Sequence, residues 1–347
     1  MSPLNQPPES ICIFRLSALG DATHVVPVVR AIQSHWPETR ITWIIGKLEY
    51  RLLSGMEGIE FIVFDKNGGL QAAKTLHETM RRRRFDVFLN IQVAAPANLL
   101  SCLVRAPVRL GWDDARSRDF HKRFIREQVA SVPFQHQVQG FLEFARALGI
   151  PVTDPQWDIP IANSAFDWVS DQVPGEQPLL LISPCSSHTL RNWSAERYAE
   201  IADFAVSEAG MQVVLSGGPS DLEKSVAADI ESRMSAPCLN LVGKDTLEQS
   251  KALLKRADLV ISPDSGPVHI ASAVGTPVIG LYAATWSRRS GPYNSLNLCV
   301  DRFEEAAQKF RNKRAEDLRW GTRIEEPGVM DLVRPQDVKE RITQALD

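Results

Sequence analysis

Residues 259–282, LVISPDSGPVHIASAVGTPVIGLY, decide the fold. An apolar run from Leu259 enters the turn Pro263-Asp264-Ser265-Gly266-Pro267, a short helix of small residues follows, and Gly275 precedes a second apolar run, Val278 to Tyr282. Strand, helix and strand at this spacing form a parallel βαβ unit, and its repetition builds a parallel sheet with helices on its faces. The alternation recurs upstream in LLLIS, QVVLSGG and LNLVG, and in the first half in ICIFRL, ITWII, FIVF and VFLNI. Between these runs lie helical periods such as HVVPVVRAIQSHW and SAERYAEIADFAVSEAG, with Gly210 where a C-cap belongs. The stretch GIPVTDPQWDIPIA, with Pro151, Pro155 and Pro160, separates the two series as an extended linker. The expected fold is α/β, with parallel-sheet domains at 1–155 and 156–330. A terminal helix at 331–347 completes the second or crosses back onto the first. Residues 303–330 are charged and weakly periodic, and no chemistry is assigned to them.

A chain of 347 residues, 44% hydrophobic and 23% charged, accommodates two domains of about 150 residues each. That composition excludes a disordered, collagenous or coiled-coil protein. Lys+Arg 39 against Asp+Glu 42 gives no bulk drive toward nucleic acid. The five cysteines are scattered, so neither a disulfide framework nor a zinc knuckle is expected. MSPLNQPPES lacks the basic and apolar regions of a signal peptide, and no run of 18 apolar residues follows. The expectation is a cytosolic protein without a membrane span.

Loops after strands carry the polar residues. In RLSALGDATHVVP, Ser17 to Ala22 join a strand's carboxyl edge, where open α/β sheets bind ligands, to a helix. Asp21 there either caps the helix or stands ready to take a proton from a hydroxyl. Gly20 lets the backbone turn, but no G-x-G-x-x-G fingerprint is present. In SSHTLRNW, Ser186, Ser187 and Arg191 suit an anion, unless the loop is merely solvated and Ser194 caps the next helix; Trp193 reads as a packing residue. Gly217 and Gly218 admit a nucleobase or ribose against the backbone, with Asp221 or Glu223 near its hydroxyls, although a plain turn explains the glycines almost as well. Asp264, Ser265 and Gly266 lead into a helix N-terminus, an anion-binding geometry, with Pro267 in its first turn and His269 one turn on. Asp264 either caps that helix or touches a sugar hydroxyl. Arg288 and Arg289 follow the next strand, as a positive field or as solvated charge. Seven basic residues between 105 and 126, with Arg81 to Arg84, would attract a polyanion or an anionic membrane surface. No interleaved aromatics make a stacking platform for nucleic acid.

In order and spacing over residues 11–295, RLSALGD, SSHTLRNW, SGGP and SPDSGPVHIASAVGTPVIGLY resemble the heptosyltransferases of lipopolysaccharide core assembly, glycosyltransferase family 9. The SSHTLRNW loop is nearest the heptosyltransferase I, OpsX-like branch. The resemblance implies a GT-B architecture, two Rossmann-like lobes facing across a cleft, in an enzyme peripheral to the cytoplasmic face of the inner membrane. It implies that Asp21 is the catalytic base. Donor binding falls to Ser186, Ser187, Arg191, Gly217, Gly218, Asp264, Ser265, Gly266 and His269, and acceptor binding to the basic patch Arg116, Arg118, Lys122 and Arg123. Arg191 stands where some relatives carry Lys, and residues 303–330 depart from the pattern. The implied reaction moves heptose, with inversion and without metal or further cofactor, from ADP-L-glycero-β-D-manno-heptose to a Kdo residue of the lipid A-Kdo acceptor. The alternatives are heptosyltransferase II-type transfer to heptose, a sugar-nucleotide epimerase, and a non-catalytic nucleotide-sugar binding protein. An epimerase needs acid and base on both faces of one sugar, and a binding protein has no use for Asp21.

Overall fold

The computed structural model describes residues 3–346. It divides into two compact units, one ending at Pro160 and one beginning at Ile161. The first unit holds β1 (Ser10–Arg15), β2 (Arg40–Gly46), β3 (Ile59–Phe64), β4 (Val87–Asn90), β5 (Val108–Gly111) and β6 (Glu127–Gln128) in the order β3-β2-β1-β4-β5-β6. The second holds β7 (Leu179–Ile182), β8 (Gln212–Leu215), β9 (Leu239–Asn240), β10 (Leu259–Pro263), β11 (Val278–Tyr282) and β12 (Val300–Asp301) in the order β12-β11-β10-β7-β8-β9. All pairs are parallel. Counted from its own first strand, each sheet runs the same way. The chain builds outward on one side, then returns to build on the other. The reversal falls between β1 and β4 in one unit and between β7 and β10 in the other, and at such a point the connections part and leave a crevice at the carboxyl edge.

The strands next to these reversals are buried throughout because helices cover both faces. Every residue of β1, SICIFR, is buried, as is every residue of β7, β10 and β11. Trp193 packs in the second core, as its sequence context suggests: it is 3% exposed, donates its indole N–H to the Val333 carbonyl (3.0 Å) and meets the Tyr198 ring edge-on. The terminal helix Pro335–Leu346 also belongs to the second unit, where it buries Val338 and Ile342 and pairs Lys339 with Glu200 (2.7 Å) and Asp337 with Arg302 (2.6 Å).

The helix Leu19–His35 runs through Pro27. Proline has no N–H, so the carbonyl four residues earlier, that of the fully buried Thr23, loses its helical partner. Trp157 replaces it, its indole Nε1 donating at 3.0 Å. Arg30 of the same helix donates to the carbonyls of Trp157 (3.3 Å) and Asp158. These bonds place residues 157–158 on the first unit, within three residues of its end.

His121 holds the loop after β5. Its Nε2 accepts the Trp112 N–H (3.2 Å) and its Nδ1 pairs with Asn98 Oδ1 (2.8 Å). Burial pushes its pKa down to about 4.

Two outcomes follow. Trp157→Phe, which keeps a ring but orphans the Thr23 carbonyl, is expected to destabilise the protein by about 1–3 kcal/mol in urea unfolding. In a Pro27→Ala background the restored N–H reclaims that carbonyl and the loss shrinks; equal losses in both backgrounds contradict the account. For His121, the unfolded imidazole binds a proton near pH 6.5 and the folded one only near 4, so the unfolded state holds more protons between these values and stability falls as pH is lowered through them. His121→Gln flattens that limb of the stability profile, and an unaltered slope refutes the assignment.

Candidate active site

In the first unit the polar residues gather at the carboxyl end of β1, beside the reversal. Ala18, not Asp21, is the N-cap of Leu19–His35, and Asp21, the third helical residue, contributes to the cap only by accepting the Ala18 N–H. Its carboxylate reaches back toward the Ala18 N–H (3.4 Å) and takes two stronger contacts: Oδ2 pairs with the Arg15 guanidinium, and Oδ1 accepts from Gln137 Nε2. Arg15 is itself fixed, since its Nη1 donates to the Ile91 carbonyl (2.9 Å) and its guanidinium lies 5.4 Å from the Phe141 ring centre. The Asp21 side chain remains about a quarter exposed, at 24%. The result is a carboxylate held in one orientation yet open to a solute, the arrangement a general base requires.

The second unit brings its polar loops together at β7 and β10. Ser186 donates its N–H to Asn192 Oδ1 (2.7 Å) and its hydroxyl to the Asp264 carbonyl (2.9 Å), which ties the loop after β7 to the loop after β10. Ser187 is exposed. Arg191, 8% exposed, does not stand as an open cation: its Nε (2.9 Å) and Nη2 (2.6 Å) both donate to Glu325 Oε1, and its Nη1 lies 3.7 Å from Asp264 Oδ2. His188 approaches Glu325 (3.5 Å), and His269 approaches Asp264 (3.8 Å). Burial raises the Glu325 pKa, but hydrogen bonding and charge from Arg191, helped by His188, outweigh it and hold the carboxyl below its usual range.

Ser265, not Asp264, is the N-cap of the helix Gly266–Ala273, and its hydroxyl pairs with that of Ser262 (2.8 Å). No side chain caps this helix and Pro267 fills its first turn, so the remaining first-turn N–H groups are donors for an anion. The glycines at 217 and 218 have a local explanation. Gly218 N–H (2.8 Å) and the Ser220 hydroxyl (2.6 Å) both donate to the Glu223 carboxylate, and a Cβ at Gly218 would stand 2.8 Å from it. Glu223 thus closes its own turn, while Asp221 is exposed.

The basic block is less uniform than its sequence. Arg109 points inward to the carbonyls of Ser101 (2.9 Å), Val104 (2.5 Å) and Phe124 (2.9 Å). Arg116 binds Asp113 (2.7 Å) and the Ala130 carbonyl (2.7 Å), and Lys122 binds Asp114 (2.5 Å). Arg118 and Arg123 are exposed, the latter 5.0 Å from the ring centre of Phe120, which is 73% exposed. Among the described residues, these two of the four candidate acceptor residues make no ion pair.

Four further residues hold the candidate residues in place, Arg15 and Gln137 in the first unit and Asn192 and Glu325 in the second. Arg15 left a trace, a charge closing the otherwise apolar run ICIF. Gln137 and Glu325 left none, lying 116 and 134 residues from their partners. Among the described residues no cluster of His, Cys, Asp and Glu could hold a metal ion, and no helix is long and apolar enough to cross a membrane.

The family model described as glycosyltransferase family 9 (heptosyltransferase) matches residues 73–319. The lipopolysaccharide core heptosyltransferase OpsX of Haemophilus influenzae is 36% identical, over 97% of both chains. Among solved structures, a family 9 glycosyl transferase from Veillonella parvula superposes with a TM-score of 0.79 at 21% identity, covering 97% of each chain. The E. coli heptosyltransferase WaaC with ADP gives 0.73 at 18% identity, covering 97% of this chain and 99% of that one. The α/β fold with two Rossmann-like sheets is the GT-B fold of these neighbours, and the chain belongs to glycosyltransferase family 9, the heptosyltransferases.

Proposed function

We propose that this glycosyltransferase moves heptose from ADP-L-glycero-β-D-manno-heptose to a Kdo residue of lipid A-Kdo, with inversion, in the inner core of lipopolysaccharide. The observation that carries the reading is the Asp21 carboxylate, fixed by Arg15 and Gln137 at the end of β1 and still open to a solute. A relative named as a lipopolysaccharide core heptosyltransferase and a neighbour solved with ADP support the choice of donor and pathway.

In the proposed step Asp21 takes the proton of the acceptor hydroxyl as its oxygen attacks the anomeric carbon, and the bond to ADP breaks on the opposite face. Charge grows on the departing diphosphate. The first N–H groups of Gly266–Ala273, the Ser187 hydroxyl and the Nη1 edge of Arg191 meet it, and such preorganised donors are each worth about 10²–10³ in turnover. Arg191 acts as an oriented donor rather than a free charge, because Glu325 engages its other edge. The donor is a substrate, and the reading assigns no resident cofactor. Exposed Arg118, Arg123 and Phe120 suit an anionic acceptor at the cytoplasmic face of the inner membrane.

Asp21→Asn removes the base and preserves the shape. Transfer is expected to drop by about 10²–10⁴ while ADP affinity stays put; turnover near that of the parent enzyme would rule Asp21 out as the base. Glu325→Ala frees Arg191 to swing and should weaken ADP binding about tenfold by calorimetry, whereas Glu325→Gln keeps an acceptor oxygen and loses less. An alanine variant that binds ADP as tightly as the parent contradicts the positioning role.

A further inference from the structure

The basic stretch of the first unit is part of a larger surface. The helix Ala95–Ser101, with the residues that follow it to Pro107, lies beside the segment that runs from Arg118 through the 3₁₀ turn His121–Phe124 to Arg126. At one end the Ala95 N–H donates to Asp119 Oδ2 (3.1 Å) and Asn98 Nδ2 to the Asp119 carbonyl (3.1 Å). At the other, Arg109 bridges the two by donating to the carbonyls of Ser101 (2.9 Å) and Phe124 (2.9 Å), and the Arg126 guanidinium reaches the Pro107 carbonyl (3.4 Å). The Phe85 N–H donates to the Arg105 carbonyl (3.0 Å), which brings Arg84 alongside. Hydrogen bonds thus assemble one surface from separate stretches of chain.

That surface shows solvent both apolar and cationic side chains. Leu99 is 66% and Phe120 73% exposed, large apolar groups that gain free energy by leaving water. With them Arg84, Arg105, Arg123 and Arg126 are exposed, and among the described residues none of these arginines makes an ion pair. Residues 94–107 contain no acid, and residues 115–126 contain only Asp119, whose carboxylate Ala95 engages. The backbone bears a cost to present the ring. Asp119 and Phe120 both sit in the left-handed region, at φ +51° and +60°, which a bulky side chain rarely adopts. The Phe120 ring fills no core position in return, and a strained residue held in place by its surroundings points to function.

We propose that this surface docks on an anionic phospholipid bilayer, with Phe120 and Leu99 entering the boundary between headgroups and acyl chains and the arginines meeting lipid phosphates. A bilayer offers phosphate and hydrocarbon together, the combination this surface complements. Nucleic acid offers the charge without an apolar phase, and a single exposed ring is no stacking series. Such docking gives the proposed transfer its lipid surface and in that sense rests on that reading, but the binding itself needs neither donor nor acceptor.

The full-length protein is sedimented with vesicles of phosphatidylglycerol and phosphatidylcholine in equal parts, which carry no acceptor sugar, and with vesicles of phosphatidylcholine alone. The parent binds the first far more tightly than the second, and added salt weakens the binding. Arg105→Gln/Arg126→Gln binds the anionic vesicles at least about tenfold more weakly, since each cation near an anionic surface is worth about fivefold, while its transfer to a water-soluble acceptor is unaltered. Phe120→Asn also weakens vesicle binding by about tenfold, yet its urea midpoint stays level or rises, because asparagine tolerates the left-handed backbone. A lowered midpoint with vesicle binding intact would make the ring structural and overturn the proposal. Equal binding of the parent to both kinds of vesicle, or to neither, overturns it, as does full binding by the arginine double variant. Tight binding of single-stranded RNA without binding to vesicles gives the surface to nucleic acid and overturns it too. A parent that docks but transfers no heptose discredits the reaction alone, and one that transfers to a water-soluble acceptor but does not dock discredits this surface alone.

Discussion

A carboxylate clamped between a guanidinium and an amide, at the end of a strand that is buried from first residue to last, is the constraint on which the chemistry depends. A charged side chain at such a place has few options. It must be paired, or it gives up the free energy of hydration without return. Arg15 supplies the charge, and Arg15 is itself anchored by a backbone carbonyl and an aromatic face, so the pair is part of the sheet's frame rather than a surface contact. The stretch from Arg15 to Asp21 therefore holds a carboxylate whose direction is set before any solute arrives, and such preorganisation is what the base of the proposed displacement requires.

The second unit solves a related problem with the opposite sign. Its own reversal, between β7 and β10, collects N–H groups, hydroxyls and one guanidinium where a diphosphate would gather charge. Arg191 is nearly buried, and a buried cation also needs a partner. Glu325 is that partner, and its engagement turns a mobile side chain into a fixed donor whose other edge, Nη1, stands 3.7 Å from Asp264. The segment 303–330 thus has a duty in this reading, holding Arg191 through Glu325.

The fold was legible because it rests on periodicity. The apolar runs ICIFRL, ITWII, LLLIS and PVIGLY became parallel strands, and the turn Pro263 to Pro267 became the helix entrance its residues suggest. Local chemistry was less secure even where the residues were in view. Asp21 and Asp264 both looked like N-caps, but those positions fell to Ala18 and Ser265, and Asp21 reaches the cap only from the third helical position, by accepting the Ala18 N–H. Arg116 and Lys122 read as acceptor-facing charge, but each pairs with an acid three to eight positions before it, Asp113 and Asp114. The segment 156–160 looked like the start of the second domain, yet Trp157 is fastened to the first by the carbonyl that Pro27 orphans. Gln137 and Glu325 could not be found at all: each acts on a residue more than a hundred positions away, and no local pattern encodes a contact made by folding.

The account stands or falls on what Asp21 touches when both substrates are present. A structure of the enzyme with ADP and an acceptor sugar is the direct measurement. The account predicts an Asp21 oxygen within hydrogen-bond reach of the reacting hydroxyl, roughly 2.6–3.2 Å, with the diphosphate on the N-terminus of Gly266–Ala273 and on Arg191. A reacting hydroxyl paired with a different side chain, and Asp21 still bound only to Arg15 and Gln137, would contradict it.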